Sequence, residues 1–142
     1  MSESQRFPTA VHALVYLAHS KATPHQPVRS VELACSVNAS HVGVRRVTAR
    51  LVKAGLIGSQ DGRKGGAWLR ADPERITLDQ VLEAVAGPVR LGATPPSWAD
   101  EPAGSLGTAI VAAIAQAEAA MLQRLSKISI ADLVDATRPD GS

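Results

Sequence analysis

Apolar positions recur with helical spacing at the start of the chain. Over residues 7–19 they fall at i, i+3, i+4 and i+7, which predicts an amphipathic helix with Pro8 in its first turn. The apolar face of this helix is formed by Val11, Leu14, Val15 and Ala18. A second, short helix is predicted to follow an N-cap at Ser30 and to end at Asn38. Its apolar positions are Val31, Leu33, Ala34 and Val37.

A third helix is predicted from its two ends and its two-sided pattern. Ser40 is a suitable N-cap, and Gly55 suits the left-handed position that follows a helix end. Between them, apolar side chains face inward and basic side chains face outward. The apolar set is Val44, Val47, Leu51 and Val52. The basic set is Arg45, Arg46, Arg50 and Lys53.

The pattern then changes from a helical to an extended period. Two short apolar runs, at 56–59 and 67–70, flank a Gly-rich segment at 60–66, which predicts a β-hairpin. Thr77 and Gln80 form a T-x-x-Q capping box, which predicts the start of a further helix. The apolar face of that helix is formed by Ile76, Leu78, Val81, Leu82 and Val85.

The last third of the chain predicts a loop, a long helix and a short helix. Prolines and glycines are concentrated in residues 87–105, which is typical of a loop. A long helix is predicted from Ser105 to Lys127, with a stripe near a 3.5-residue repeat. That stripe consists of Leu106, Ile110, Ile114, Ala117, Met121 and Leu125. Ser129 is expected to cap a short last helix, and the tail from Thr137 is expected to fray.

Composition narrows the class of protein. The 142 residues are 45% hydrophobic and 20% charged, which fits about one folded domain and excludes wholesale disorder. The single cysteine, Cys35, excludes an intramolecular disulfide and a cysteine-based zinc site. The N-terminus lacks the order of a signal peptide, and polar residues interrupt the apolar stretches, so we expect a cytoplasmic protein without a membrane span.

The net charge of +2 conceals a strongly basic segment. Residues 40–70 contain seven basic side chains and one acidic side chain, whereas residues 71–142 contain five basic and ten acidic ones. A local net charge of +6 favours binding to a polyanion. The alternative is a solvated charged face without a partner.

Two short helices, a basic helix and a Gly-rich hairpin, in this order, are typical of a winged helix–turn–helix. We therefore predict a mainly α fold with a small β-hairpin wing. An α-helix fits the major groove of DNA, and the arginine fork can donate two bonds to guanine. Arg50 or Lys53 is expected nearer a phosphate. The predicted DNA-contacting residues are Ser40, His41, Val42, Arg45, Arg46, Arg50, Arg63, Lys64, Gly65 and Gly66.

The same motifs resemble the Rrf2 family of bacterial winged-helix transcription regulators, which includes IscR-, NsrR- and CymR-like proteins. The resemblance covers nearly all of residues 6–134. It rests on RF at 6–7, HAL and YLA at 12–18, ELA at 32–34, VRR at 44–46, AGL at 54–56, GGAWL at 65–69, ITL at 76–78 and ISIADL at 128–133.

The resemblance implies a homodimer that binds a partly palindromic operator, and we expect a repressor. The long helix would be the dimerisation element, through the stripe defined above. Its many alanines suit this role independently, because small side chains let two backbones approach closely. The expected organisation is a DNA-binding domain at 1–86, a loop at 87–104, a dimerising region at 105–134 and a tail at 135–142.

One feature departs from the resemblance. Cluster-binding members of the family carry three cysteines in the loop before the long helix, whereas residues 87–105 contain none here. Because thiolates are the iron ligands in such clusters, we expect neither an iron–sulfur cluster of that type nor another cofactor.

Several alternatives stay open. Cys35 could be a thiol switch or an inert small residue, and Trp98 could contact a small-molecule effector or pack the loop. Regulation without an effector is a third option. The chain could also be a protein-interaction module that has lost DNA binding. A small enzyme is disfavoured, because we find no catalytic constellation and no metal-binding spacing among the four histidines.

Overall fold

The computed structural model describes residues 2–91, 97–100 and 102–137. It has the predicted fold class, mainly α with a small antiparallel hairpin. The helices are α1 (Glu3–Ser20), α2 (Ser30–Ser36), α3 (His41–Lys53), α4 (Leu78–Ala86), α5 (Leu106–Leu125) and α6 (Ile130–Ala136). The strands are β1 (Ile57–Gln60) and β2 (Gly66–Leu69), and a short 3-10 helix covers Ser97–Asp100.

The first helix begins earlier than the apolar pattern predicts. Its N-cap is Ser2, whose backbone N–H donates to Gln5 Oε1 at 3.2 Å, so the helix starts at Glu3. Pro8 therefore lies inside the helix and not in its first turn. The signal was a Ser-x-x-Gln capping box, the same kind of motif that correctly predicts the start of α4 at Thr77.

The start of α2 also differs from the prediction. Val28 forms an antiparallel bridge with Ala67, through N···O distances of 2.9 and 2.8 Å. This pairing keeps the chain extended through Arg29, which is the N-cap, so Ser30 is the first helical residue. Val31, expected on the apolar face, is 58% exposed.

The third helix has the predicted ends. Ser40 Oγ accepts a hydrogen bond from the Gly43 N–H at 3.1 Å, and Gly55 follows the helix with φ +78°. Asn38, in the turn before it, also has a positive φ of 50°. The apolar side of α3 is buried as predicted, except that Val52 is only partly buried.

The hydrophobic core lies where α1 meets α2, α3, α4, α6 and the hairpin. The deepest line of α1 is displaced from the predicted face. Leu14 is buried as expected, but Val11, Val15 and Ala18 are only partly buried. The line is Ala10, Ala13, Leu14 and Leu17. The displacement follows from tertiary packing, because α1 contacts neighbours on several sides.

The last two helices connect differently to this core. Gly107 is the only buried residue of α5, whereas Leu125 near its end packs partly against the core. α6 returns to α1, and the Ile130 N–H donates to the Ile76 carbonyl at 2.8 Å.

The last helix extends two residues into the segment 135–142 that was expected to be a tail. Asp135 and Ala136 belong to α6. Thr137, expected to fray, has its Oγ1 2.6 Å from His19 Nε2. The remaining tail, at 138–142, lies outside the described residues, as do residues 92–96 and 101 of the predicted loop.

Within the described part of the chain, α5 is the one helix with the length and composition of a membrane span. An 18-residue window of it has a mean hydropathy of 1.3, and 6% of that window is buried. Gln116 and Glu118 interrupt this apolar stretch, but its many alanines keep the mean hydropathy of the window high. Length and composition alone do not establish a membrane span, because core helices of soluble proteins can share both.

Candidate nucleic-acid interface

The surface of α3 carries two separate groups of side chains. On one flank, Arg45 lies with His41 in a groove between α3, the start of α2 and the hairpin. The groove has a volume of about 530 Å³. On the other flank, Arg46 and Arg50 line a different cavity together with Val42. Because consecutive residues of an α-helix differ by about 100° in direction, the adjacent Arg45 and Arg46 face different flanks.

The hairpin closes one side of the groove. Its strands pair Ile57 with Leu69 at one end and Gln60 with Gly66 at the other, so Arg63 and Lys64 lie at the tip. Both side chains are exposed, as a wing requires. The Gly65 N–H donates to the Gly62 carbonyl at 3.0 Å and fixes the turn.

The two predicted wing glycines have a packing role. A Cβ at Gly65 would lie 2.0 Å from the Gln60 carbonyl oxygen, and one at Gly66 would lie 2.3 Å from that of Val28. Real Cβ atoms essentially never approach backbone so closely. These glycines therefore let the hairpin close and pack on the segment before α2. Gly65 is buried, so its contribution to any DNA contact is through the shape of the wing.

The predicted α3 residues are accessible, with one qualification for Arg50. Ser40, His41, Val42, Arg45, Arg46, Arg50 and Lys53 are all exposed. Arg50 Nη1, however, donates to the Val85 carbonyl at 2.5 Å, so part of this guanidinium holds the end of α4. Val42 is 63% exposed, which is a large fraction for an apolar side chain on a helix surface.

Two basic residues at the interface were missed by the sequence reasoning. Arg29 lines the groove that contains Arg45, and Arg6 lines the cavity that contains Arg46. Both lie outside residues 40–70, where the charge is concentrated. The early start of α1, signalled by the capping box at Ser2, places Arg6 in a helix.

Cys35 is a free cysteine with an exposed side chain. The Tyr16 hydroxyl donates to Glu32 Oε1 at 2.6 Å, and this hydrogen bond raises the pKa of Tyr16 above its ordinary value. Cys35 makes a minor electrostatic contribution to the same pKa. The groove that His41 and Arg45 line does not include Cys35.

The long helix presents an apolar face. Of the predicted stripe, Leu106 is 77% exposed, and Ile110, Ile114 and Met121 are 37–39% exposed. Ala117 is also exposed, but Leu125 is only partly exposed. Val111, at 39%, extends the face beyond the predicted residues. Trp98 is 37% exposed and belongs to the 3-10 helix that contacts α5.

A helix–turn–helix whose second helix is basic, followed by a basic hairpin, defines the winged helix–turn–helix class of domains. Comparison with known protein families identifies one family within this class. The Rrf2 family model, described as "Iron-dependent Transcriptional regulator", matches residues 3–136. The chain therefore belongs to the Rrf2 family of transcription regulators.

Solved structures agree with this assignment of the fold. CymR of B. subtilis, described as its global cysteine regulator, is 21% identical with a TM-score of 0.70, over 94% of this chain and 95% of that one. T. potens IscR is 20% identical with a TM-score of 0.69, over 96% and 90%. A protein described as a putative DNA binding protein is 28% identical with a TM-score of 0.68, over 90% and 97%. No protein of curated function matches the sequence.

The iron in the family's description does not fit the residues of this chain. Iron–sulfur clusters are held mainly by cysteine thiolates, and Cys35 is the only cysteine in the sequence. Across 2–91, 97–100 and 102–137, no group of three or more His, Cys, Asp or Glu side chains could hold a metal ion.

Proposed function

We propose that this chain is a sequence-specific DNA-binding regulator that acts as a homodimeric repressor on a partly palindromic operator. The observation that carries the proposal is the position of Arg45 and His41 on exposed α3 beside the wing. These elements lie within residues 40–70, which have a net charge of +6. Such a charge attracts the phosphate backbone of DNA. The groove between α3 and the wing makes this basic surface concave. We place this activity in the cytoplasm.

The major groove would be read by the first two turns of α3. Arg45 is suited to guanine, because its fork can donate to O6 and N7 together. Val42 is suited to the methyl group of thymine, because it is an exposed apolar side chain in the first turn of α3. Ser40 and His41 supply further hydrogen-bonding groups at the start of the helix.

The wing would reach the minor groove. Arg63 and Lys64 are exposed at the tip of a short hairpin, where both can extend away from the body. A narrow A·T-rich minor groove has an enhanced negative potential, which attracts such side chains. Contacts of this kind follow groove width more than base identity.

A second copy of the chain would cover the apolar face of α5. Leu106, Ile110, Ile114 and Met121 are exposed in one protomer, although they are large and apolar. The neighbouring alanines allow close approach of a second α5. Two copies related by a two-fold axis would present two α3 helices, which matches a palindromic site.

Salt dependence tests DNA binding without knowledge of the operator. Neutralising a phosphate releases counterions, so log K should fall against log salt with a slope of about −0.9 for each contact. We expect a steep negative slope for a mixed-sequence duplex, and a shallower one for the double variant R63Q/K64Q. Absent or salt-independent binding would instead support a protein-interaction module with this fold.

Two effector sites are candidates, beside regulation without an effector. A thiol switch at Cys35 is one option, because the residue is exposed on α2, next to the turn that leads to α3. A small ligand beside Trp98 is the other. Peroxide should lower DNA affinity in the wild type but not in Cys35→Ser, and equal responses would refute the thiol switch.

A further inference from the structure

Three arginines from two distant parts of the sequence surround one small cavity. Arg6 comes from the second turn of α1, whereas Arg46 and Arg50 are one turn apart on α3. The cavity has a volume of about 110 Å³. Its other lining residues are Ser40, Val42, Gly43 and Val47, so none of the seven carries a negative charge.

The positive charge at this cavity is poorly compensated. Arg6 forms an ion pair with Glu3, with Nη1 and Oε1 3.5 Å apart, and the Glu3 side chain is 88% exposed. Surface ion pairs of this kind contribute little. In the described part of the chain, neither Arg46 nor Arg50 has an ion-pair partner. Arg50 is hydrogen-bonded to the neutral carbonyl of Val85.

The side chain of Arg6 is also held in place. It is only 22% exposed, so its stem packs against protein while it lines the cavity. The hydrogen bond to Val85 likewise restrains Arg50. Restrained guanidinium groups lose less entropy when they bind, and their planar forks match phosphate oxygens.

The position of the cavity indicates which anion the three arginines would bind. It shares no lining residue with the groove between α3 and the wing, and it lies on the other flank of α3. A helix in the major groove has a phosphate backbone on each side. Resting on the proposed function, we propose that Arg6, Arg46 and Arg50 bind a phosphodiester group of the DNA backbone, on the flank of α3 away from the wing.

This site changes the role expected for Arg46. The sequence alone predicted Arg46 as a reader of bases together with Arg45. At the cavity, Arg46 instead positions the helix by holding the backbone, and Arg45 remains the reader of bases. Phosphate contacts fix register and orientation but carry no sequence information directly.

Arg6→Gln tests the site, with Lys21→Gln as its matched control. Both substitutions remove one positive charge from α1 or its end, but Lys21 lies about 22 Å along the helix from Arg6. We expect Arg6→Gln to weaken binding to a mixed-sequence duplex about tenfold, and to make the salt slope shallower by about 0.9. Lys21→Gln should stay within about twofold of the wild type.

A conservative variant separates binding from folding. Arg6→Lys keeps the charge but loses the fork, so its affinity should lie between those of the wild type and Arg6→Gln. The melting temperature of each variant should match the wild type. Equal DNA affinities for Arg6→Gln and Lys21→Gln, beside normal wild-type binding, would overturn the site but leave the proposed function intact.

A titration with inorganic phosphate distinguishes a free anion from the DNA backbone. If Arg6→Gln abolishes phosphate binding but leaves DNA affinity at the level of the control, the cavity serves a small anion and the proposal is wrong. A wild-type protein that does not bind DNA at any salt concentration would contradict both the site and the proposed function.

Discussion

Adjacent residues of α3 face different surroundings, so a run of basic residues cannot be treated as one unit. Arg45 lies in the groove beside the wing, whereas Arg46 lies at the cavity with Arg6. Arg50 lines the same cavity as Arg46 and is also hydrogen-bonded to the end of α4. The sequence predicted that all three would be exposed, and they are. Their division between flanks needed the position of α1 and of the hairpin.

Glycine at position 65 is required by backbone packing. A Cβ there would lie 2.0 Å from the Gln60 carbonyl oxygen, so Gly65→Ala must displace one side of the turn. We expect the free energy of unfolding to fall by about 1–3 kcal/mol. Ser59→Ala, at an exposed position of β1, is the control and should change it by less than about 0.5 kcal/mol. Urea unfolding measures both.

Equal midpoints for the two variants would contradict this account of the hairpin. Because the wing positions Arg63 and Lys64, Gly65→Ala should also lower DNA affinity at temperatures where the protein remains folded. Its effect would come through the geometry of the turn and not through a lost contact.

At the scale of elements, local signals were reliable where they were recognised. The N-cap at Ser40, the capping box at Thr77 and the hairpin around its glycines all appear as predicted. Apolar periodicity was less reliable, since Val31 is exposed. The start of α2 depends on the pairing of Val28 with Ala67, two residues far apart in sequence. A pattern of neighbouring residues cannot report such a pairing.

The long helix makes a prediction about assembly. Ile114 is 39% exposed on the apolar face of α5, and Ile114→Glu would place a charge in an interface between two copies. We expect the variant to be a monomer at concentrations where the wild type is a dimer. Gln116→Glu is the control, because two helical positions turn it about 200° from Ile114. Sedimentation or light scattering measures the mass.

A monomeric wild type would contradict the dimer. Sedimentation with lipid vesicles should then be measured, since α5 also has the length and composition of a membrane span. Glu118 argues against a span, because a charged side chain in the bilayer centre costs about 2.5–3.5 kcal/mol. Its Oε1 accepts from the Leu91 N–H at 2.6 Å.

At the scale of the whole molecule, the charge is divided along the chain. Residues 40–70 have a net charge of +6, and residues 71–142 have a net charge of −5. The first segment contains α3 and the wing, and the second contains α4, α5 and α6. An acidic second half would be repelled by DNA, which favours approach through the basic face.

Selection of bound duplexes from a random-sequence pool tests the central claim most directly, with the wild type and Arg45→Ala in parallel. The account predicts an enriched motif of two inverted half-sites, centred about one helical turn or a multiple of it apart. Arg45→Ala should still bind but lose preference at one base pair of each half-site, worth about 1–3 kcal/mol. No enrichment by the wild type would contradict sequence-specific binding, and a motif without two-fold symmetry would contradict the dimer.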